Sequence, residues 1–368
     1  IEDDAERQML RSQKWAKQEY KQVPISPFTK PIIHSKRLRI GYFSSDLHDH
    51  ATLWLMSGLL RNHDKSAFEV FAYSYGQIKT GNLRHSLEND VSCLIDIAGL
   101  SDTAVIELVR SHELDIAIDL KGYTTHTRSD LFQFRLAPIQ VNYLGYPGTM
   151  GADFIDYIIA DPIVIPRNER RFYTESVIYL PECYQPNDDT REIALAATTR
   201  SDFGLPVNGF VFCCFNNNYK IKPLEFEIWM RLLGQVEGSV LWLLKSNKWA
   251  EVNLQHEAIA FGIDPSRLVF ANSLPHHEHL ARHKHADLFI DTFNYNAHTT
   301  ASDALWAGLP VVTKVGRQFS ARVCASLLTA IGLPELITRT NDEYEALLLD
   351  LANDRSKLVE IKERLKAN

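Results

Sequence analysis

The chain has 368 residues, 45% apolar and 23% charged, proportions that exclude a disordered, collagen-like or disulfide-scaffold class. Its length is about twice that of a typical single domain and predicts two domains with separate cores. A formal net charge of -7 leaves no overall basic excess for nucleic acid or an anionic membrane surface, so neither is an expected partner.

Residues 1–36 begin with helix formers (Ala5, Arg7, Gln8, Met9, Leu10, Trp15, Ala16) and run into Pro24, Pro27 and Pro31, which break the pattern. Because the chain opens within a charged helical stretch, the expectation is a helical segment left from upstream repeats, then a linker. The acidic start Ile1-Glu2-Asp3-Asp4 has no basic and apolar leader pattern, and no apolar run is long enough to span a bilayer. Five scattered cysteines (Cys93, Cys183, Cys213, Cys214, Cys324) form no Cys-x-x-Cys pair and predict reduced thiols in a cytoplasmic protein.

A first domain is expected over 37–190, with strands predicted at 38–43, 68–74, 92–97, 114–120, 140–144, 157–160 and 176–180, separated by helices. The turn-rich segment 186–199, with Asn187, Asp188 and Asp189, reads as an exposed linker. A second domain over 191–368 has predicted strands at 210–215, 240–244, 268–271, 288–291 and 310–313, each followed by a helix. Strands alternating with helices imply parallel sheets covered on both faces. The expected fold is therefore α/β, with two Rossmann-like doubly wound domains facing a cleft. Ligands of such sheets collect at the carboxyl ends of strands, which directs attention to the loops that follow them.

Four of these loops are chemically unusual. The first, Ser44-Ser45-Asp46-Leu47-His48-Asp49-His50-Ala51-Thr52, places His50 at a strand-to-helix turn. There it either takes a proton from an incoming nucleophile or is solvated while Asp46, Asp49 and Thr52 cap the helix. The second, Asp119-Leu120-Lys121-Gly122-Tyr123-Thr124-Thr125-His126-Thr127-Arg128, is dense in donors that suit a sugar, a peptide backbone, or the loop's own backbone. Downstream, the glycines of Gly145-Tyr146-Pro147-Gly148-Thr149 predict tight turns or close backbone approach.

The third loop, Phe215-Asn216-Asn217-Asn218-Tyr219-Lys220, ends the second domain's first strand, and its Lys220 either offsets a phosphate's charge or is solvated. In the fourth, His298-Thr299-Thr300 opens a helix whose unpaired amides, positive dipole end and two threonine hydroxyl donors suit a diphosphate, unless the threonines only cap it. Asp303, one turn on, accepts from ribose hydroxyls or complements the dipole. Neither a Gly-x-Gly-x-x-Gly nor a Gly-x-x-x-x-Gly-Lys-Ser/Thr motif supports a dinucleotide or P-loop site. No Asp-x-Asp follows an apolar strand, so phosphate charge falls to protein groups. The histidine run 276–285 puts His279 and His283 one turn apart, as metal ligands are, but is read as a positively charged helix face.

These loops, with Gly41-Tyr42-Phe43-Ser44-Ser45-Asp46, Ala137-Pro138-Ile139-Gln140, Val240-Leu241-Trp242-Leu243-Leu244 and Leu305-Trp306-Ala307-Gly308, resemble the catalytic region of the O-linked N-acetylglucosamine transferases, glycosyltransferase family 41. The resemblance runs over nearly all of 38–355 and is closer to the bacterial members. It implies a GT-B fold and an inverting transfer that requires no metal or cofactor. The implied donor is UDP-N-acetylglucosamine (UDP-GlcNAc), and the implied acceptors are serine or threonine hydroxyls of proteins or peptides, with tetratricopeptide repeats upstream.

Carried over to this sequence, the resemblance has Lys220 and the His298-Thr299-Thr300 helix start hold the diphosphate and Asp303 the ribose. His279 and Arg282 flank the uracil near the Leu274 backbone. Asn217 and His276 stand at the nucleotide where animal-type members carry glutamine and lysine. His50 lines the acceptor side, as general base or as bystander while the departing phosphate takes the proton. Phe215-Asn216-Asn217 and Asp291-Thr292-Phe293 are shared with plant-type protein O-fucosyltransferases, which makes GDP-fucose an alternative donor beside UDP-glucose. A non-catalytic nucleotide-binding scaffold is the remaining alternative, and the joint presence of His50, Lys220 and His298-Thr299-Thr300 argues against it.

Overall fold

A computed structural model describes residues 2–20, 37–76, 81–195 and 197–368; the prolines read as a linker at 24, 27 and 31 lie outside them. The chain divides into two compact units, one of Asp4–Thr190 and one of Arg191–Asn368 that also takes in Asp3. The Asp3 carboxylate accepts the backbone N–H groups of Arg317 and Gln318 at 2.8 Å.

The first unit opens with helix α1 (Ala5–Glu19), N-capped by Asp4, whose Oδ1 accepts the Arg7 N–H at 3.0 Å. Of the segment expected as a separate 1–36, the described helix is counted with the first unit. α1 buries Ala5, Ser12 and Ala16, and Tyr20 beyond it stacks on Tyr123 and meets Phe154 edge-on at 4.9 Å. Seven parallel strands follow: β1 (Leu38–Ser44), β2 (Phe68–Ser74), β3 (Cys93–Asp96), β4 (Ile116–Asp119), β5 (Ile139–Asn142), β6 (Tyr157–Ala160) and β7 (Ser176–Tyr179). Their order in the sheet is β3-β2-β1-β4-β5-β6-β7. From Ile40 onward β1 is buried on both faces, as a central parallel strand should be. Phe43 stacks on Tyr73 at 4.4 Å and meets Phe132 edge-on at 5.2 Å in the core beside it.

Helices α2 (Ala51–Arg61), α3 (Asn82–Asp90) and α4 (Asp102–Ser111) cross between the first four strands. Beyond β4 the expected alternation with helices fails. Tight 3-10 turns at Ser129–Phe134 and Arg167–Phe172 replace two crossovers, and residues 143–156 run from β5 to β6 without a helix. Prolines and glycines deny this stretch a helical period, and buried polar side chains hold it instead. Arg135 grips Asp156 through two hydrogen bonds of 2.6 and 2.8 Å, and Gln140 donates to the Phe132 and Phe154 carbonyls. Glu175 accepts from Met150 N–H and the Thr149 hydroxyl, both at 2.6 Å.

The second unit repeats the plan with β8 (Val211–Cys214), β9 (Val240–Leu244), β10 (Leu268–Ala271), β11 (Leu288–Ile290), β12 (Val311–Lys314) and β13 (Ile337–Thr338), in the order β10-β9-β8-β11-β12-β13. The two-residue β13 at the edge carries too little pattern to read from sequence. Seven helices accompany these strands: α5 (Pro223–Gln235), α6 (Lys248–Ala260), α7 (His276–Arg282), α8 (Thr299–Trp306), α9 (Val323–Ala330), α10 (Asn341–Asn353) and α11 (Arg355–Ala367). Both sheets reverse their winding once, between β1 and β4 and between β8 and β11. Ligands of doubly wound sheets bind at such switch points, and the four unusual loops are the ones that leave these four strands.

Gly145 shows how tightly the exits of β4 and β5 meet, because a Cβ there would lie 2.0 Å from the Leu120 carbonyl oxygen. Gly145→Ala is expected to lower unfolding stability by about 2 kcal/mol, within the range for overpacking a fixed contact. Urea denaturation measures this, and a loss under about 0.5 kcal/mol would show that the two loops part freely.

Candidate active site

In the second unit the site is organised from the end of β11. Asp291 is fully buried, and its Oδ1 accepts the N–H groups of Thr292 (2.8 Å) and Ala297 (2.6 Å) and the side-chain amide of Asn216 (3.1 Å). Its Oδ2 accepts the Thr313 hydroxyl at 2.7 Å. Burial raises its pKa to about 6, against the opposing pull of these donors and of Lys220. Asn216, 1% exposed, also donates to the Thr292 hydroxyl (2.8 Å) and accepts the Thr300 hydroxyl at 2.5 Å. One amide thus ties the exits of β8 and β11 to the start of α8.

Asn217 is exposed and begins the turn that presents Lys220; its side chain accepts the Tyr219 N–H at 3.5 Å. Lys220 is not a solvated surface lysine. Its Nζ donates to the Asn296 carbonyl at 3.0 Å and lies 4.1 Å from the centre of the Tyr295 ring. Burial lowers its pKa to about 8, and Asp291 works in the opposite direction. His298 stacks on the same Tyr295 ring at 4.6 Å and pairs through Nε2 with the Ser320 carbonyl at 3.0 Å. Burial, with Lys220 second, pushes its pKa down to about 3, so the ring is neutral at pH 7.

His298 leaves α8 without a side-chain cap, while its carbonyl takes the N–H groups of Ala301 and Ser302 at 3.1 Å. Among the described residues the amides of Thr299 and Thr300 have no protein acceptor. The Thr300 hydroxyl gives its proton to Asn216, so the expected pair of threonine hydroxyl donors reduces to that of Thr299 beside the two amides. Lys220, His298, Thr299 and Thr300 are therefore brought together around the Tyr295 loop.

Asp303 lies farther along α8, its Oδ1 receiving Arg191 Nη1 at 2.7 Å and His276 Nε2 at 3.3 Å. On α7, Arg282 is 1% exposed, donates to the Asn272 carbonyl at 2.6 Å and to His279 Nδ1, and lies 4.4 Å over the Phe215 ring. Beside it opens a cavity of about 410 Å³ lined by Leu195, Phe203, Leu274, Ala281 and Arg282. The positively charged helix face expected of 276–285 is not formed. Burial pushes His279 down to about 2 and His283 to about 4, so both are neutral. Among the described residues no three His, Cys, Asp or Glu side chains converge as metal ligands would.

In the first unit His50 is itself the N-cap of α2, its Nδ1 accepting the Thr52 N–H at 3.2 Å. The capping expected of Asp46, Asp49 and Thr52 is redistributed. Asp49 accepts the Leu83 N–H at 3.1 Å at the start of α3, whose own cap residue Gly81 has no side chain to offer. Asp46 pairs with Lys121 at 2.6 Å and stands 3.7 Å from His50 Nδ1. Burial acts to raise the Asp46 pKa, but Lys121 and then His50 outweigh it and hold the carboxyl below its ordinary range. Beyond β4, Asp119 gathers the N–H groups of Lys121 (2.8 Å) and Gly122 (3.1 Å) and the Ser129 hydroxyl. That donor-rich loop spends much of its capacity on itself.

Sequence reasoning assigned no role to Asn216, Asp291, Tyr295 or Arg191. A carboxylate directly after the apolar run 288–290 was a readable sign for Asp291, whereas Arg191 sits in a segment read only as an exposed linker.

Comparison with known proteins identifies the family. The model of the family described as Glycosyl transferase family 41 matches residues 17–194 and 186–368. The probable UDP-N-acetylglucosamine--peptide N-acetylglucosaminyltransferase SEC of Arabidopsis thaliana is 35% identical over 340 residues, covering 90% of this chain and 35% of that protein. The UDP-N-acetylglucosamine--peptide N-acetylglucosaminyltransferase of Caenorhabditis elegans is 28% identical over 91% of this chain and 40% of its own. The chain therefore spans only 35% and 40% of the length of these relatives. Among solved structures, a mutant of the Thermobaculum terrenum O-GlcNAc transferase superposes with a TM-score of 0.90 at 29% identity, covering 99% of this chain and 69% of that one. Anabaena Alr3699/HepE in complex with UDP and glucose has a TM-score of 0.57 at 14% identity, covering 90% and 94%, a likeness of fold alone.

Proposed function

The chain belongs to glycosyl transferase family 41, with an α/β fold of the GT-B type, and from that premise we propose that it transfers N-acetylglucosamine from UDP-GlcNAc to serine or threonine hydroxyls of acceptor proteins. The observation that carries this reading is the convergence of the Lys220 ammonium with two uncommitted amides at the start of α8. Such a set of fixed donors suits a diphosphate.

The transfer is an inverting displacement. The acceptor oxygen bonds to the anomeric carbon, the bond from that carbon to the diphosphate oxygen breaks, and negative charge grows on the departing UDP. Lys220, the Thr299 and Thr300 amides and the Thr299 hydroxyl meet that charge without a metal, and donors fixed in advance cost no reorganisation as it develops. Asp303 receives the ribose, while His279, Arg282 and the neighbourhood of Leu274 receive the uracil, with Asn217 and His276 at the nucleotide's edge. The five cysteines are free, which supports a reducing, cytoplasmic setting. Among the described residues no helix is long and apolar enough to cross a membrane. Tetratricopeptide repeats upstream are what the family resemblance implies for the full-length protein.

His50 takes the acceptor's proton in this reading, under a constraint from its cap. With Nδ1 accepting the Thr52 N–H, the neutral ring carries its proton on Nε2 and has no lone pair there to offer. Acting as base requires Nδ1 to leave the cap and carry its proton toward Asp46 Oδ2, 3.7 Å away, which frees Nε2.

Incubation with labelled UDP-GlcNAc, UDP-glucose and GDP-fucose, following nucleotide release and label on protein, tests the donor. Preferential turnover of UDP-GlcNAc is expected. Turnover of another donor alone moves the assignment within the family, and nucleotide binding without any transfer favours a scaffold. Lys220→Ala is expected to lower kcat at least about a hundredfold, and a rate within a few-fold of wild type would remove its role. Lys220 carries its charge below its pKa of about 8 and loses it above, so kcat/KM should fall as pH rises through that value. Lys220→Arg should move this basic limb upward, and an unmoved limb would assign it to another group. His50→Asn keeps a capping side chain but removes the base. It should lower kcat about a hundredfold with the melting temperature nearly unchanged, whereas an unchanged kcat would leave the proton to the departing phosphate.

A further inference from the structure

Arg191 begins the second unit, directly after Thr190 ends the first. Although it lies in a turn-rich stretch, its side chain is only 5% exposed, as is that of Asp303, and the two pair at 2.7 Å. Helix α8 holds this arginine at both ends. The Trp306 indole N–H donates to the Arg191 carbonyl at 3.1 Å, and the guanidinium lies 5.4 Å from the centre of the Trp306 ring. Nη1 meets Asp303 while Nη2 reaches the Ser302 carbonyl at 3.5 Å, a two-pronged grip that a planar guanidinium makes and an ammonium does not. A buried ion pair gives little net stability because both charges are stripped of water. What it does give is orientation. Both donors that reach the Asp303 carboxylate, Arg191 Nη1 and His276 Nε2, fall on Oδ1, and among the described residues Oδ2 has no hydrogen-bond donor.

We propose that Arg191 is the positioning residue of the nucleotide site, fixing the Asp303 carboxylate through Oδ1 so that Oδ2 is left as the acceptor for a ribose hydroxyl. The proposal rests on the reading of Asp303 as the ribose ligand. It makes the residue at the junction of the two units part of nucleotide recognition without touching the nucleotide.

The test is a calorimetric titration of the whole chain, wild type and Arg191→Met, with UDP and with 2′,3′-dideoxyuridine diphosphate, which lacks the ribose hydroxyls. Wild type should bind UDP about tenfold or more tightly than the dideoxy compound, the scale of a hydrogen bond to a charged group. Arg191→Met should weaken UDP about tenfold and the dideoxy compound by less than about threefold, so that the variant barely tells them apart. Arg191→Lys should fall between, and it carries the same comparison if Arg191→Met does not fold. Equal weakening of both ligands marks a merely structural arginine and overturns the proposal. Unchanged or tighter UDP binding does so as well, the latter because the guanidinium would then occupy the ribose's place. If wild type binds both ligands alike, the ribose assignment falls while the transferase reading stands. If it binds neither, the nucleotide reading itself fails and this inference with it.

Discussion

The second unit depends on a carboxylate placed where water cannot reach it. An isolated ionised carboxyl in an apolar interior is costly by many kcal/mol, and Asp291 is tolerable only because four donors from four separate places close on it. Those places are the end of β8, the residue after Asp291, the far end of its own loop, and β12. Satisfying one group therefore determines the path of residues 291–297 and the seating of Asn216, and through Asn216 the orientation of the Thr300 hydroxyl. The Tyr344 hydroxyl from α10 donates to the Asp291 carbonyl at 3.0 Å, so that helix is locked to the same point. Lys220 feels the same charge, which works against the fall in its pKa that burial imposes.

Around this centre, buried titratable groups are sorted by the charge they can afford. Histidines 279, 283 and 298 are held neutral by burial, so the positive charge next to the α8 start resides on Lys220. Arg282 keeps its charge while burial lowers its pKa to about 10, its guanidinium resting against the Phe215 ring. The first unit manages its strand ends differently. Asp46 is matched to Lys121 and Asp119 to its own loop's N–H groups, so its loops are largely self-satisfied and His50 serves as the cap of α2.

The strands were legible because runs such as 38–43 and 240–244 are apolar, short and bounded by turn residues, which is the physical signature of a buried parallel strand. The helices expected after β4 were not there because the alternation rule assumes every crossover is helical, while Gln140, Arg135, Asp156 and Glu175 hold irregular chain just as firmly. Lys220, Thr299 and Thr300 were legible as candidate site residues from their place after strands. The histidine run was misread because charge depends on burial, which a row of letters does not display. Arg191 was invisible for a related reason. Its partners Asp303 and Trp306 lie more than a hundred residues away, and only the folded unit turns a linker residue into a buried one.

A lysine whose pKa rests near 8 has a further consequence for an anion site. Its ammonium is poorly solvated and shares one carbonyl and one aromatic face, so losing the proton is comparatively easy. A bound diphosphate supplies the opposite charge that burial withheld and raises the pKa again. On the proposed reading, nucleotide binding above pH 8 would draw in a proton, and by the same linkage its departure would release one. The neutral His298 beside it could not buffer this exchange, since its pKa is far below that range. On that reading the proton would come from outside this cluster, so the charge state of Lys220 would follow the nucleotide rather than a neighbouring group.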